Sequence, residues 1–150
     1  MRIYLPATSS DLIAPQPPSG PAWTVKAAPG IGAEDLEVLE DDAQTEAALA
    51  SLIRLRDEGG ARRRIVLAAD WDGHISAADD GVIEVAAAGL QWSDIVAILI
   101  DSSAAETAVE AVLAAEEQED ADAAVATLWD ESLQWYDREE RNALIADLGQ

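Results

Sequence analysis

The chain has few large aliphatic side chains from which to build an interior. Leu, Ile and Val number 35 of 150 residues, Phe is absent, and 31 alanines supply much of the remaining apolar content. That aliphatic share lies a little above the ~20% level that accompanies disorder when net charge is high, and the formal net charge is −21. A domain of this length buries roughly 70% of its unfolded surface, so the expectation is one folded domain with a modest core. Each indole can bury ~150–250 Å². The five tryptophans are therefore expected to be the main filler, with Trp129 and Trp135 in the core.

Patterning along the chain places the elements. Residues 2–7 (RIYLPA) read as a strand, with Pro6 tolerated at its end or edge. The Pro- and Ser-rich stretch from Ser9 to Pro21 reads as a loop. Residues 23–27 make a short strand, and 36–39 (LEVL) fit either a strand or the entry to a helix. From Asp41 or Asp42 as a cap, a helix runs to Gly59-Gly60 with Leu49, Leu52 and Ile53 as its apolar stripe. The run Ile65-Val66-Leu67 within 64–70 and the run Ile95 to Ile100 read as strands buried on both faces. A loop from Trp71 to Gly81 and a short strand at 82–85 lie between them.

Ser103 and Glu106 have the spacing of a capping box, which predicts a helix to about Glu117. Its inward face is Ala105, Ala108, Val109, Val112 and Leu113. The acidic run Glu116 to Asp122 reads as a solvated break, followed by a helix over 122–130. A last strand covers 133–137 (LQWYD), and a terminal helix runs from Arg138 to Leu148. Taken alone, the strongest elements give β-α-β-β-α-β, the ferredoxin-like order. The expected fold class is thus α+β: a ferredoxin-like sandwich with two helices on one face of the sheet, extra short strands and a C-terminal helix.

Charge and composition exclude several classes of function. A surface this acidic repels nucleic acid and anionic membrane, both polyanions, and suits a basic protein partner. The chain has no cysteine, which removes disulfides, thiolate metal sites and cysteine nucleophiles and is compatible with a reducing cytoplasm. Only Ile3, Tyr4 and Leu5 separate Arg2 from Pro6, too short a run for a secretory leader. No stretch approaches the ~20 apolar residues that span a bilayer. The expectation is a cytoplasmic protein.

Candidate sites are few. His74 is the single histidine and follows Asp70-Trp71-Asp72-Gly73 in a loop. With Asp70 and Asp72 it has the residue types of a metal or acid/base cluster, although Asp and Gly also make an ordinary turn. The Asp-x-Asp-Gly start does not continue as a calcium loop, because Gly81 stands where the bidentate glutamate belongs. No serine sits in a Gly-x-Ser-x-Gly elbow, and Gly30-Ile31-Gly32 lacks the rest of a dinucleotide fingerprint. No catalytic residue, metal ligand or cofactor is assigned.

The less expected feature is basic. Arg54, Arg56, Arg62, Arg63 and Arg64 are five of the nine Lys and Arg residues. They suit an anionic ligand or an acidic face of a second copy, or else internal pairing at a helix end. Trp71, flanked by two aspartates, is the best candidate for an exposed binding indole. The interaction candidates are therefore Arg54, Arg62, Arg63, Arg64, Trp71 and His74.

Four patches carry a family resemblance: the opening MRIYLPAT, RRIVLAAD at 63–70, AILID at 97–101 and LQWYD at 133–137. Together they resemble an uncharacterised family of short actinobacterial proteins that begin Met-Arg-Val/Ile-Tyr-x-Pro-Ala-Thr and end near a Trp-Tyr pair. The proline-rich stretch after Thr8 departs from that pattern, since relatives look more helical there. The resemblance implies a bacterial, cytosolic protein and no particular chemistry. The functional expectation is a non-enzymatic binding or regulatory module that contacts a protein partner or a second copy through a sheet edge. The alternatives are a small carboxylate-dependent enzyme acting on a neutral or cationic metabolite, and an acidic mimic of nucleic acid.

Overall fold

The computed structural model describes residues 1–75 and 79–149; part of the loop expected over 71–81 therefore lies outside the described residues. The fold is α+β, built on a six-stranded sheet in the order β4-β2-β1-β3-β5-β6 with every neighbouring pair antiparallel. The strands are β1 (Arg2–Ala7), β2 (Gly20–Lys26), β3 (Ile65–Asp70), β4 (Gly81–Ala87), β5 (Ile95–Asp101) and β6 (Leu133–Asp137). The helices are α1 (Ser9–Ile13), α2 (Ala33–Glu58), α3 (Glu106–Ala114), α4 (Gln118–Leu128) and α5 (Arg141–Asp147).

This order is not the ferredoxin-like one. In a split βαβ unit the helix links two parallel strands with a third between them. Here β2 is no peripheral addition but lies between β1 and β4. The path β1-β2-α2-β3 reverses at each step, so β3 returns beside β1 in the opposite direction. A second excursion, through α3 and α4, likewise brings β6 back antiparallel to β5.

Several boundaries also differ, each for a local reason. The stretch 9–21 contains α1, because the Asp11 carboxylate accepts from the Thr8 backbone N–H at 2.8 Å and fixes the first turn. The 36–39 segment belongs to α2, which begins at Ala33 and runs for 26 residues. The expected break at 116–122 is shorter and earlier, covering 115–117: Glu119 and Asp120 already occupy the first turn of α4, where the positive helix pole favours carboxylates. The expected capping box at Ser103 does not form, because Glu106 turns instead to Arg63.

The sheet is covered on both faces, not one. On one face Tyr4, Val66, Ala68, Ala97 and Leu99 meet Ala43, Ala47 and Ala48 of α2. Beyond the sheet end, Leu52 and Leu55 of α2 pack with Val109 and Val112 of α3 and Leu128 of α4. The opposite face, with Ile3, Leu5, Ile65, Leu67, Ile98 and Ile100, takes Leu12 of α1 and Leu144 of α5. The tryptophans are not the filler. None is fully buried, and the largest fully buried side chains are Ile, Leu and Val. Alanines let α2 sit close on the sheet, leaving no gap the size of an indole.

Polar pins hold the layers. The buried Ser51 hydroxyl of α2 donates to the Ala7 carbonyl at 2.8 Å and accepts from the Ile65 N–H at 3.1 Å, tying α2 to the ends of β1 and β3. Gly60 is required where the chain leaves α2. Its φ is +120°, and a Cβ there would meet the Ser9 hydroxyl at 2.9 Å, which itself accepts from the Ala61 N–H.

At the same end of the sheet, Arg64 and Asp101 form a buried ion pair. The Asp101 carboxylate accepts from Arg64 Nε at 2.9 Å and Nη2 at 2.7 Å, and also from the Arg64 backbone N–H at 2.8 Å. Asp101→Ala leaves a buried guanidinium without its counter-charge, and the expected loss is ~3–5 kcal/mol. Ser51→Ala is expected to cost about 1–3 kcal/mol through two unpaired backbone groups. Urea denaturation checks both; a loss below 1 kcal/mol for Asp101→Ala would contradict the keystone role of the pair.

Candidate functional site

The arginine cluster is largely spent within the fold. Arg54 pairs with Asp11 at 2.7 Å and Glu58 at 2.7 Å and donates to the Pro6 carbonyl. Arg63, nearly buried, bridges Glu106 of α3 and Asp147 of α5 at 3.0 and 3.2 Å. Arg64 is held by Asp101. Arg62 is half-buried and makes no hydrogen bond or ion pair among the described residues; Arg56 is exposed. The structure therefore does not gather the five into one basic face.

The 70–74 segment follows β3. Trp71 is half-buried rather than displayed, packing on the core face that carries Leu144, and its backbone N–H donates to the Met1 carbonyl. Its indole lies against Gly73 so closely that any Cβ there would collide with the ring. Asp70 pairs with Arg2 at 3.3 Å, while Asp72 and His74 are exposed. Among the described residues, no three of His, Asp and Glu gather as a metal-ligand set. No helix there is long and apolar enough to cross a membrane.

The more organised site lies along β6, one of the two sheet edges. Trp135 pairs across from Leu99, whose side chain is on the α2 face, so alternation puts Trp135 and Leu133 on that face as well. Trp129 follows the end of α4, and Glu131 and Ser132 lead into β6. The two indoles are 44% and 55% exposed. Together with Asp41, Gln44 and Thr45 of α2, they wall an open groove of about 470 Å³ floored by Ala48, Leu133 and Arg64.

Arg64 is only 2% exposed. Nε and Nη2 are occupied by Asp101, and Nη2 also donates to the Glu131 carbonyl at 2.8 Å. Nη1 has no partner among the described residues, and none of their buried side-chain nitrogens or oxygens lacks one. Nη1 is thus the part of Arg64 open to the groove. The guanidinium lies 5.9 Å from the Trp129 ring centroid, at the outer limit of a cation–π contact.

Tyr4 of β1 secures α2 upstream of the groove by donating to Glu40 Oε2 at 2.7 Å. Sequence reasoning placed Trp129 and Trp135 in the core and so missed this site. A partial signal was present: Trp129 is followed by Asp130 and Glu131, although Leu128 precedes it where Trp71 has an aspartate on each side.

The fold and groove define a class: an α+β protein with a two-tryptophan groove along a free sheet edge. The chain matches the model of a family of unknown function, DUF6912, over residues 1–145, and belongs to that family. No curated protein and no solved structure matches it.

Burial first, and the Glu40 carboxylate second, push the Tyr4 hydroxyl from its ordinary 10.0 up to about 12, against the opposing pull of the nearby Gln44 amide. The folded value is raised, so the stabilisation is fully present below pH 10.0 and is lost as pH rises through about 12. In a Tyr136→Phe background, ultraviolet titration should show tyrosinate forming near the upper value. Adding Tyr4→Phe should remove that transition and flatten the fall in stability between the two.

Proposed function

We propose that the protein is a non-enzymatic protein-binding or regulatory module of an actinobacterial cytoplasm, with the groove beside β6 as its contact surface. The observation that carries this reading is the convergence of Trp129, Trp135 and the inner face of Arg64 on one groove at a sheet edge. Trp and Arg are the residues in which binding energy concentrates at contacts between proteins. A free edge strand adds a row of main-chain donors and acceptors.

Two considerations favour a different protein over a second copy. Like copies each carrying −21 repel one another. Arg54, Arg63 and Arg64, the groups suited to an acidic neighbour, already have carboxylate partners within the fold. The same charge disfavours nucleic acid and anionic membrane, and the lack of cysteine suits a reducing compartment.

The test compares immobilised wild type with a Trp129→Ala/Trp135→Ala double variant in extract of the native host. Both must melt at the same temperature by circular dichroism. Proteins held by wild type and lost from the variant are the expected outcome. Identical capture by the two, or none by wild type at low salt, overturns the reading.

A further inference from the structure

Resting on the groove as the contact surface, we infer that its occupant is an extended, basic segment of the partner, added as a strand to β6 with a Lys or Arg side chain held between Trp129 and Trp135. Three features of the lining point to this chemistry.

The first is the edge. β6 is hydrogen-bonded to β5 alone, so its outer side is open to another strand. Side chains alternate across a sheet, so every second residue of an added strand faces α2 and enters the groove, while its backbone pairs with β6.

The second is charge. Arg64 is neutralised by Asp101. The remaining ionisable groups on the groove are Asp41 and Glu131, both carboxylates. Asp41 is exposed, and its side chain forms no hydrogen bond or ion pair among the described residues. A cation entering here meets two carboxylates and two indoles, the combination that favours ammonium and guanidinium groups. An anion meets the carboxylates and the whole field of the chain.

The third is Arg64 Nη1. It is a fixed donor on the groove floor, held in place by the bonds that occupy Nε and Nη2. Nη1 suits an uncharged acceptor on a side chain that enters the groove, such as an amide or hydroxyl oxygen, while the carboxylates suit the basic side chain. The site thus distinguishes a peptide with a basic residue from a free polyamine, which has no main chain to pair with β6.

The probe is a pentapeptide of alternating valine and lysine, blocked at both ends, titrated into the whole chain and followed by ¹⁵N NMR. Matched peptides carry glutamate or threonine in place of lysine. The expected result is shifts in the amides of Leu133 to Asp137, both indole N–H signals and the Arg64 Nε–H with the lysine peptide. Asp41→Asn and Glu131→Gln should each weaken that binding about fivefold and reduce its salt dependence. Equal binding by the threonine or glutamate peptide overturns the cationic assignment and leaves the groove as a contact surface. Shifts confined to other surfaces, or no shift with the lysine peptide, overturn the inference outright; the extract comparison judges the module reading separately.

Discussion

The contact between Arg64 and Asp101 joins the parts that the rest of the molecule is arranged around. Each residue is held by the other through both backbone and side chain, since the Asp101 N–H also donates to the Arg64 carbonyl at 3.1 Å. The pair fixes the ends of β3 and β5, and through the Glu131 carbonyl it fixes the turn that launches β6. An apolar pair of the same volume is often as stabilising as a buried ion pair. What such a replacement could not do is hold the Glu131 turn and present a donor to the groove. The pair therefore links the interior of the sheet to the surface where function is proposed.

Around it the charge is divided by position rather than spread evenly. The arginines sit at element junctions: Arg54 between α1 and α2, Arg63 between α3 and α5, Arg141 stacked 3.9 Å from the Trp92 ring and donating to the carbonyls of Leu12 and Ala14. In so acidic a chain these few cations act as ties between layers. Much of the carboxylate excess remains on exposed helix surfaces, where it gives the molecule its long-range field.

Much of the strand content was legible because it rests on local pattern. The continuous apolar runs at 65–67 and 95–100 and the Trp-Tyr segment at 133–137 each produce the strand they predict. The order of those strands was not legible. It depends on β2, whose Gly20-Pro21 start hides a full strand pairing with β4 along its length. The site was obscured for a related reason. Trp135 lies in a strand that looks internal by composition, and only the sheet order shows that strand to be an edge. Arg64 could be picked out as unusual, but its partner lies 37 residues away, and no local pattern signals that separation.

The alanine contact between α2 and the sheet has one further consequence. Methyl groups interlock weakly, so a helix resting on Ala43, Ala47 and Ala48 has a smooth underside with little to index its position along its own axis. Placement then falls to what flanks the alanines: Ser51, Arg54 and the leucines Leu52 and Leu55 on one side, and Tyr4 to Glu40 on the other. Loosening the Tyr4 fixing would free the Glu40 side of α2 while the Ser51, Arg54 and leucine contacts hold the other, changing the width of the groove and leaving the sheet intact.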